Sequence, residues 1–230
     1  MRSSIKNILQ KICRLPRNKK IFLSQEGEDI LLARIFDKKN NRGYYVDIGA
    51  HDPMRFSNTY YFYQLGWRGI NVDPLPSAKD KFKKHRPKDI FILAGVSQEE
   101  IDLTYYQFKE PAYNTFIYEL AQSRKEKSPL ISTTKVKCYS LESIFKEYNV
   151  KEIDFLSIDV EGFELSVLYS NDWNKYTPKV IVIEILHFDF DTFKNGLIYQ
   201  FLKARGYTIF SKLFHSAIFV HNDHINLIRR

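Results

Sequence analysis

YYVDIGAHDP, Tyr44 to Pro53, runs two aromatics and a valine into an aspartate, then a glycine, then a turn of small and polar residues. That pattern reads as a buried strand that stops at a ligand. A dinucleotide fingerprint at such a place needs three glycines, so that backbone can reach phosphate oxygens, with an acid about 20 residues further on. Here Asp52 and Pro53 fill the loop and the third glycine is absent. An aspartate beside a pyrophosphate repels it. The stretch therefore argues against a dinucleotide, and with it against an NAD-dependent oxidoreductase.

Outward from this stretch, short apolar runs alternate with amphipathic segments. Residues 24–37 predict a helix with Ser24 as its N-cap and acids in the first turn. The pattern then predicts strand 44–48, a helix near 56–65, strand 69–73, a helix near 77–85 and strand 90–96. Residues 101–139 break the rhythm with two strands, IDLTYYQF and TTKVKCY, around a helix and a basic loop. Alternation resumes with helix 140–147, strand 153–158, helix 162–170, strand 179–186 and helix 192–204. YTIFSKLFHSAIFV closes the chain as two strands about a tight turn. Strands separated by helices need crossovers, so the sheet is expected to be mainly parallel with helices on both faces. A closing hairpin makes the last of seven strands antiparallel, which is the sheet of Rossmann-like methyltransferases.

Composition fits one domain: 230 residues, 44% hydrophobic and 15% aromatic. Residues 24–230 are expected to form it, with 101–139 as an insertion. Of the net charge of +8, residues 1–20 carry +7 (Arg2, Lys6, Lys11, Arg14, Arg17, Lys19, Lys20), leaving +1 for the rest. The basic charge belongs to a tail rather than a body, against a nucleic-acid enzyme and its extended basic face. Ile5, Ile8, Leu9, Ile12 and Leu15 recur at helical spacing within residues 1–23, a basic amphipathic segment that offers a membrane surface or a partner something to hold. The alternative is a helix packed on its own domain. Two cysteines without pairing or metal spacing, and no apolar leader or 18-residue apolar run, predict a cytoplasmic protein.

Ligands of open parallel sheets sit beyond the carboxyl ends of strands. Those ends hold Asp47, Gly49, Ala50 and His51, then Asp73 and Pro74, then Gly95 to Ser97, then Asp159 to Gly162, and last Glu184 and His187. An acid such as Asp73 can take both hydroxyls of a ribose. Acids at consecutive strand ends predict a nucleoside, and a cationic sulfonium with a ribose and an amino-acid tail suits this loop better than NAD.

YYVDIGAHDP, WRGINVDPLP and DFLSIDVEGFELSVL, preceded by SQEGEDILL, resemble the FkbM family of S-adenosylmethionine (SAM)-dependent methyltransferases over about residues 24–190. The resemblance implies a class I methyltransferase fold, with SAM as donor and S-adenosylhomocysteine as product. By position it implies Asp47, Gly49 and Ala50 as the floor under SAM. Ser57, Asn58 and Thr59 fall at its amino-acid end, and Asp73 and Pro74 at the ribose. Gly95 to Ser97 border the adenine, and Asp159 and Glu161 face the methyl-transfer centre. HDP stands where small or glycine residues are usual in this family.

A sugar hydroxyl is a poor acid, so transfer to it needs a base. The candidates are His187 or the pair Asp159 and Glu161, with His51 nearby; His187 could equally be a core histidine, and Asp159 a helix N-cap. Asp159, Glu161, Glu184, His187 and Asp189 are hard ligands that could orient Mg²⁺, but no spacing demands a metal. Tyr113, Asn114 and Phe116, with Tyr105 and Tyr106 before them, suit a sugar face, and Arg124, Lys125 and Lys127 suit phosphates. The expected function is O-methylation of a sugar hydroxyl, on a nucleotide sugar or a glycan acceptor for surface polysaccharide. The alternatives are a non-catalytic nucleoside-binding module of a membrane glycan-assembly complex, and a methyltransferase of natural-product hydroxyls.

Overall fold

The computed structural model describes residues 22–36, 42–186, 189 and 191–229. The elements run α1 (Glu28–Ile35), β1 (Tyr44–Ile48), α2 (Tyr60–Gln64), β2 (Arg68–Asp73), α3 (Pro76–His85) and β3 (Ile90–Leu93). Next come β4 (Gly95–Val96), β5 (Asp102–Phe108), α4 (Tyr118–Arg124), β6 (Leu130–Tyr139) and α5 (Leu141–Glu147). Then follow β7 (Phe155–Ile158), α6 (Glu164–Tyr169), β8 (Val180–Glu184), α7 (Leu197–Ala204), β9 (Tyr207–Lys212) and β10 (Ser216–His221).

Side chains of a strand alternate between faces, and here both faces are covered, so the central strands read as unbroken apolar runs. Val46, Ile48, Leu156, Ile158, Ile181 and Ile183 pack one way, against Leu141, Ile144, Val167, Leu168 and Leu202 of α5, α6 and α7. Tyr45, Phe155, Val180 and Val182 pack the other way, against Leu32 and Ile35 of α1, Phe62 of α2, and Trp67. One polar row interrupts the second face: Asp47 of β1 lies between Asn71 of β2 and Ser157 of β7.

The large sheet has the order β3-β2-β1-β7-β8-β10-β9. β10 runs antiparallel to both β8 and β9, and the pairs among β3, β2, β1, β7 and β8 are parallel. This is the mainly parallel, seven-stranded, Rossmann-like methyltransferase sheet expected from the sequence.

Four local expectations need correction. Strand 90–96 breaks at Ala94: β3 is an edge strand, and the chain leaves it to pair β4 in parallel with β6, which pairs antiparallel with β5. The two strands of residues 101–139 thus form, with β4, a separate three-stranded sheet. The helix at 24–37 starts four residues late, after Gly27 at φ 92. Ser24 is not its cap; its hydroxyl donates to the Asp29 carboxylate at 2.6 Å and accepts from Gly27 N–H at 3.1 Å. The helix near 56–65 shortens to α2, and the one at 192–204 divides into a 3-10 turn, Phe193–Asn195, and α7. The basic segment 1–20 lies outside the described residues. Among the described residues no helix is long and apolar enough to cross a membrane.

Candidate active site at the carboxyl ends of the strands

The ends of β1, β2 and β7 open into one cleft, roofed by residues of the insertion. Gly49 makes its floor. It sits at φ 82, and a Cβ there would fall 1.7 Å from the Asp159 carbonyl oxygen, so only glycine allows β1 and β7 to close up beneath a ligand. Ala50, His51, Pro74 and Ser157 line the cleft with it. A small apolar recess adjoins it, formed by Val72, Ala94, Gly95, Val96, Phe116 and Phe163. At Gly95 a Cβ would fall 2.5 Å from Cys138 Sγ and 2.9 Å from the Phe116 ring, so this cavity is packed directly on the insertion.

Asp73 closes β2. Its two oxygens accept the N–H groups of His51 at 2.7 Å and Leu75 at 2.8 Å. Burial nevertheless pushes its carboxyl up to about 6, against the pull of those two bonds. His51 is held at φ 50, and burial followed by the Arg55 charge lowers its basicity.

At the β7 end, Asp159, Glu161 and Glu184 bring one carboxylate oxygen each to within 4.8 Å of one another. Asp159 faces the water of the cleft, yet protein walls surround it. Burial and the charges of Glu161, Glu164, Asp47 and Glu28 together raise its pKa well above the usual range. Burial, then Asp159, Glu161 and Glu164, push Glu184 to about 10. Its Oε2 is buried without a hydrogen-bond partner among the described residues. Glu161 occupies a left-handed conformation, φ 55, rare for a residue with a side chain. Its carbonyl accepts from Thr115 Oγ1 at 3.1 Å and its carboxylate is ion-paired with Arg124. Three such carboxylates can share a proton or offer hard oxygens to a divalent cation. Asp189 stays apart, accepting the N–H groups of Asp191 and Thr192.

Several sequence-predicted residues stand elsewhere than expected. Arg124 does not face solvent phosphates; it is buried on α4, bonded to Glu161 and to the Tyr113 carbonyl at 2.9 Å. Tyr113 does not line the cleft; its ring stacks under Arg124. Asn114 and Phe116 do line it, and Phe116 lies on the apolar cavity. Asp159 is not a helix cap: α6 begins at Glu164, with Phe163 before it. Ser57 and Asn58 line the cleft, whereas Thr59 is buried behind Asp47. Ser97 does not line it; its hydroxyl bonds the Glu99 carbonyl. His187 lies outside the described residues.

Two constellations escaped the sequence reading. Arg86, 1% exposed, joins Asp89 at 2.8 Å, Tyr45 Oη at 2.8 Å and Thr59 Oγ1 at 2.9 Å, directly behind Asp47. On the far side, Glu26 Oε1 meets His215 Nδ1 at 2.5 Å and accepts the His215 N–H, tying the β9–β10 turn to Gln25 at the cleft wall. Arg86 stands in a basic surface-like run, and Glu26 and His215 are 189 positions apart, so neither carries a local signal.

A family model described as the methyltransferase FkbM domain matches residues 47–209. No curated protein matches the sequence. Solved structures of similar fold include a TehB-like SAM-dependent methyltransferase from Corynebacterium glutamicum, 13% identical over 96% of this chain and 100% of that one, TM-score 0.44. A precorrin-6y C5,15-methyltransferase from Geobacter metallireducens is 13% identical over 87% and 90%, TM-score 0.45. The fibrillarin pre-rRNA processing protein of Methanococcus jannaschii is 12% identical over 90% and 86%, TM-score 0.46.

Proposed function

The chain belongs to the FkbM family of SAM-dependent methyltransferases, and from that premise we propose that it methylates a sugar hydroxyl, with Asp159 taking the hydroxyl proton. The site fits the donor. Asp73 is placed to accept ribose hydroxyls, the apolar cavity beside Phe116 suits adenine, and Gly49 leaves room for the thioether above the floor. Asn58 Oδ1, buried and unpartnered among the described residues, offers an acceptor to an ammonium group.

SAM supplies a methyl group made electrophilic by its sulfonium. The acceptor oxygen must approach that carbon opposite the sulfur, roughly 3–3.5 Å away. Asp159 carries the reading. Burial and the surrounding carboxylates raise its pKa, which makes its ionised form a stronger base than an ordinary carboxylate, and Asp159 stands open to the cleft at the carboxyl end of β7. Glu184, protonated at neutral pH, is placed to donate to this cluster and limit its charge. Glu161 is pinned by Arg124 and holds the loop. The concentration of carboxylates keeps acceptor phosphates away from the transfer point. In a nucleotide sugar they would lie toward the exposed Lys125 and Lys127 of the insertion.

The test is S-adenosylhomocysteine formation from SAM against nucleotide sugars, simple glycosides, catechols and short RNA. Turnover with a sugar acceptor is expected, with kcat lowered roughly 10²- to 10⁴-fold in Asp159→Asn. Turnover with catechol or RNA and none with sugars would overturn the acceptor class.

A further inference from the structure

Behind Asp47 lies a buried cation that never touches the cleft. All three guanidinium nitrogens of Arg86 are engaged: Nε with Asp89, Nη2 with Tyr45, Nη1 with Thr59 at 2.9 Å and more distantly with Ser57 at 3.4 Å and the Pro53 carbonyl at 3.5 Å. Thr59 passes the bond on, its hydroxyl donating to Asp47 Oδ2 at 2.7 Å. The Arg86 N–H fills one side of that hydroxyl, and of its two other neighbours, Ser57 Oγ at 3.2 Å and the Asp47 carboxylate at 2.7 Å, the carboxylate is the closer and stronger acceptor. Thr59 thereby holds one Asp47 oxygen, the Ser157 hydroxyl also bonds the carboxylate, and the residue still lines the cleft. On the same stretch Asn58 donates to Ser157 Oγ at 3.2 Å and keeps its Oδ1 buried and unpartnered among the described residues. Ser57 closes the turn by accepting from Thr59 and Tyr60 N–H. Three anions, Asp73, Asp89 and Asp159, also act on or feel Asp47, and Arg86 is the cation set against them.

We propose that Arg86 is a positioning residue for the amino-acid end of the donor, acting through Thr59 to hold Asp47 and the 53–59 loop so that Asp47 and Asn58 present two acceptor oxygens to the donor's ammonium group. Arg86 supplies orientation from behind, in a region too tightly bonded to rearrange when the ligand arrives.

Two probes separate this from ordinary structural support. SAM carries the amino-acid tail, and 5′-methylthioadenosine carries the same adenosine and a thioether without it. Thr59→Val removes the relaying hydroxyl at nearly constant shape and leaves Arg86 in place, and Thr59→Ser keeps the hydroxyl. Calorimetric titration is expected to show SAM affinity weakened roughly 10- to 100-fold in Thr59→Val, the size of a buried bond to a charged group. Methylthioadenosine affinity should stay within about threefold, and Thr59→Ser should recover most of the SAM affinity. Arg86→Lys, which keeps the charge and loses the fork, should fall between wild type and Thr59→Val for SAM alone, provided its circular dichroism matches wild type. Equal loss for both probes, or no loss for SAM, would overturn the proposal. Wild-type protein that binds neither probe would instead overturn the donor site itself.

Discussion

Two charged groups of residues stand on the same sheet edge and are built in opposite ways. Around Arg86 each charge is met: the Arg86–Asp89 pair is fully buried, and Asp89 also accepts from Tyr45, Asn71 and Gly69. Around Asp159 carboxylates outweigh the cation paired with them, Arg124 on Glu161; one oxygen of Glu184 has no partner among the described residues, and the loop at Glu161 is strained. A saturated network resists change and so holds geometry. An under-compensated one stores unfavourable energy that a proton or a ligand can relieve, and strain of that kind is found where chemistry is done. The contrast supports the proposal that the Arg86 side is scaffold and the Asp159 side the reacting end.

The contrast can be broken most forcefully at Arg86. Arg86→Met leaves Asp89 buried without its cation, and guanidinium denaturation should register a loss of about 3–5 kcal/mol. A loss under about 1 kcal/mol would mean the network is not the scaffold described here. Asp73, bonded on both oxygens yet raised to about 6, lies between the extremes. In the proposed donor site its ionised form accepts two ribose hydroxyls, so SAM affinity should weaken about tenfold as pH falls from 7.5 to 5. Asp73→Asn should bind weakly and show a flat profile; a steep profile in that variant would assign the titration to another group.

The smallest effect is expected at Glu184, and its sign is the informative part. In the folded protein this carboxyl keeps its proton up to about pH 10; in the unfolded chain it loses it near the ordinary 4.3. Between those values the folded state binds more protons, so its stability declines as pH rises. Glu184→Gln removes that liability. Thermal melts should show a gain of about 2–4 °C at pH 8.5, the equivalent of about 1 kcal/mol, shrinking toward zero near pH 4.5. A Glu184→Gln protein that melts lower at pH 8.5 would show that the carboxylate is compensated after all.

Much of this was legible in the sequence, for reasons that differ by element. Strand β1 was read to the residue because burial on both faces leaves an unbroken apolar run that ends at Asp47 and Gly49. The closing hairpin announced the antiparallel strand through its alternation and its turn. Asp73, Asp159 and Glu184 were found because topology puts the ends of parallel strands together. The Ser24 cap was misplaced because Asp29 takes the serine hydroxyl before the helix begins, a competition between two polar side chains that propensity does not rank. Arg124 follows the same logic: its neighbours in sequence are solvated, and only the fold brings Glu161 to it. Arg86 was hidden by Lys83, Lys84 and His85, whose exposure gave the whole run the character of a surface.

The crowding at Gly95 couples two parts of the molecule. Its missing Cβ is the space into which Cys138 and Phe116 are fitted, one from β6 and one from the loop before α4. A methyl group at Gly95 collides with both, so drift at that position requires a smaller side chain at Cys138 and a displaced ring at Phe116. The three positions are constrained to change as a set. The wall of the apolar cavity and the insertion that covers it therefore form one packed unit, which a substitution on either side disturbs.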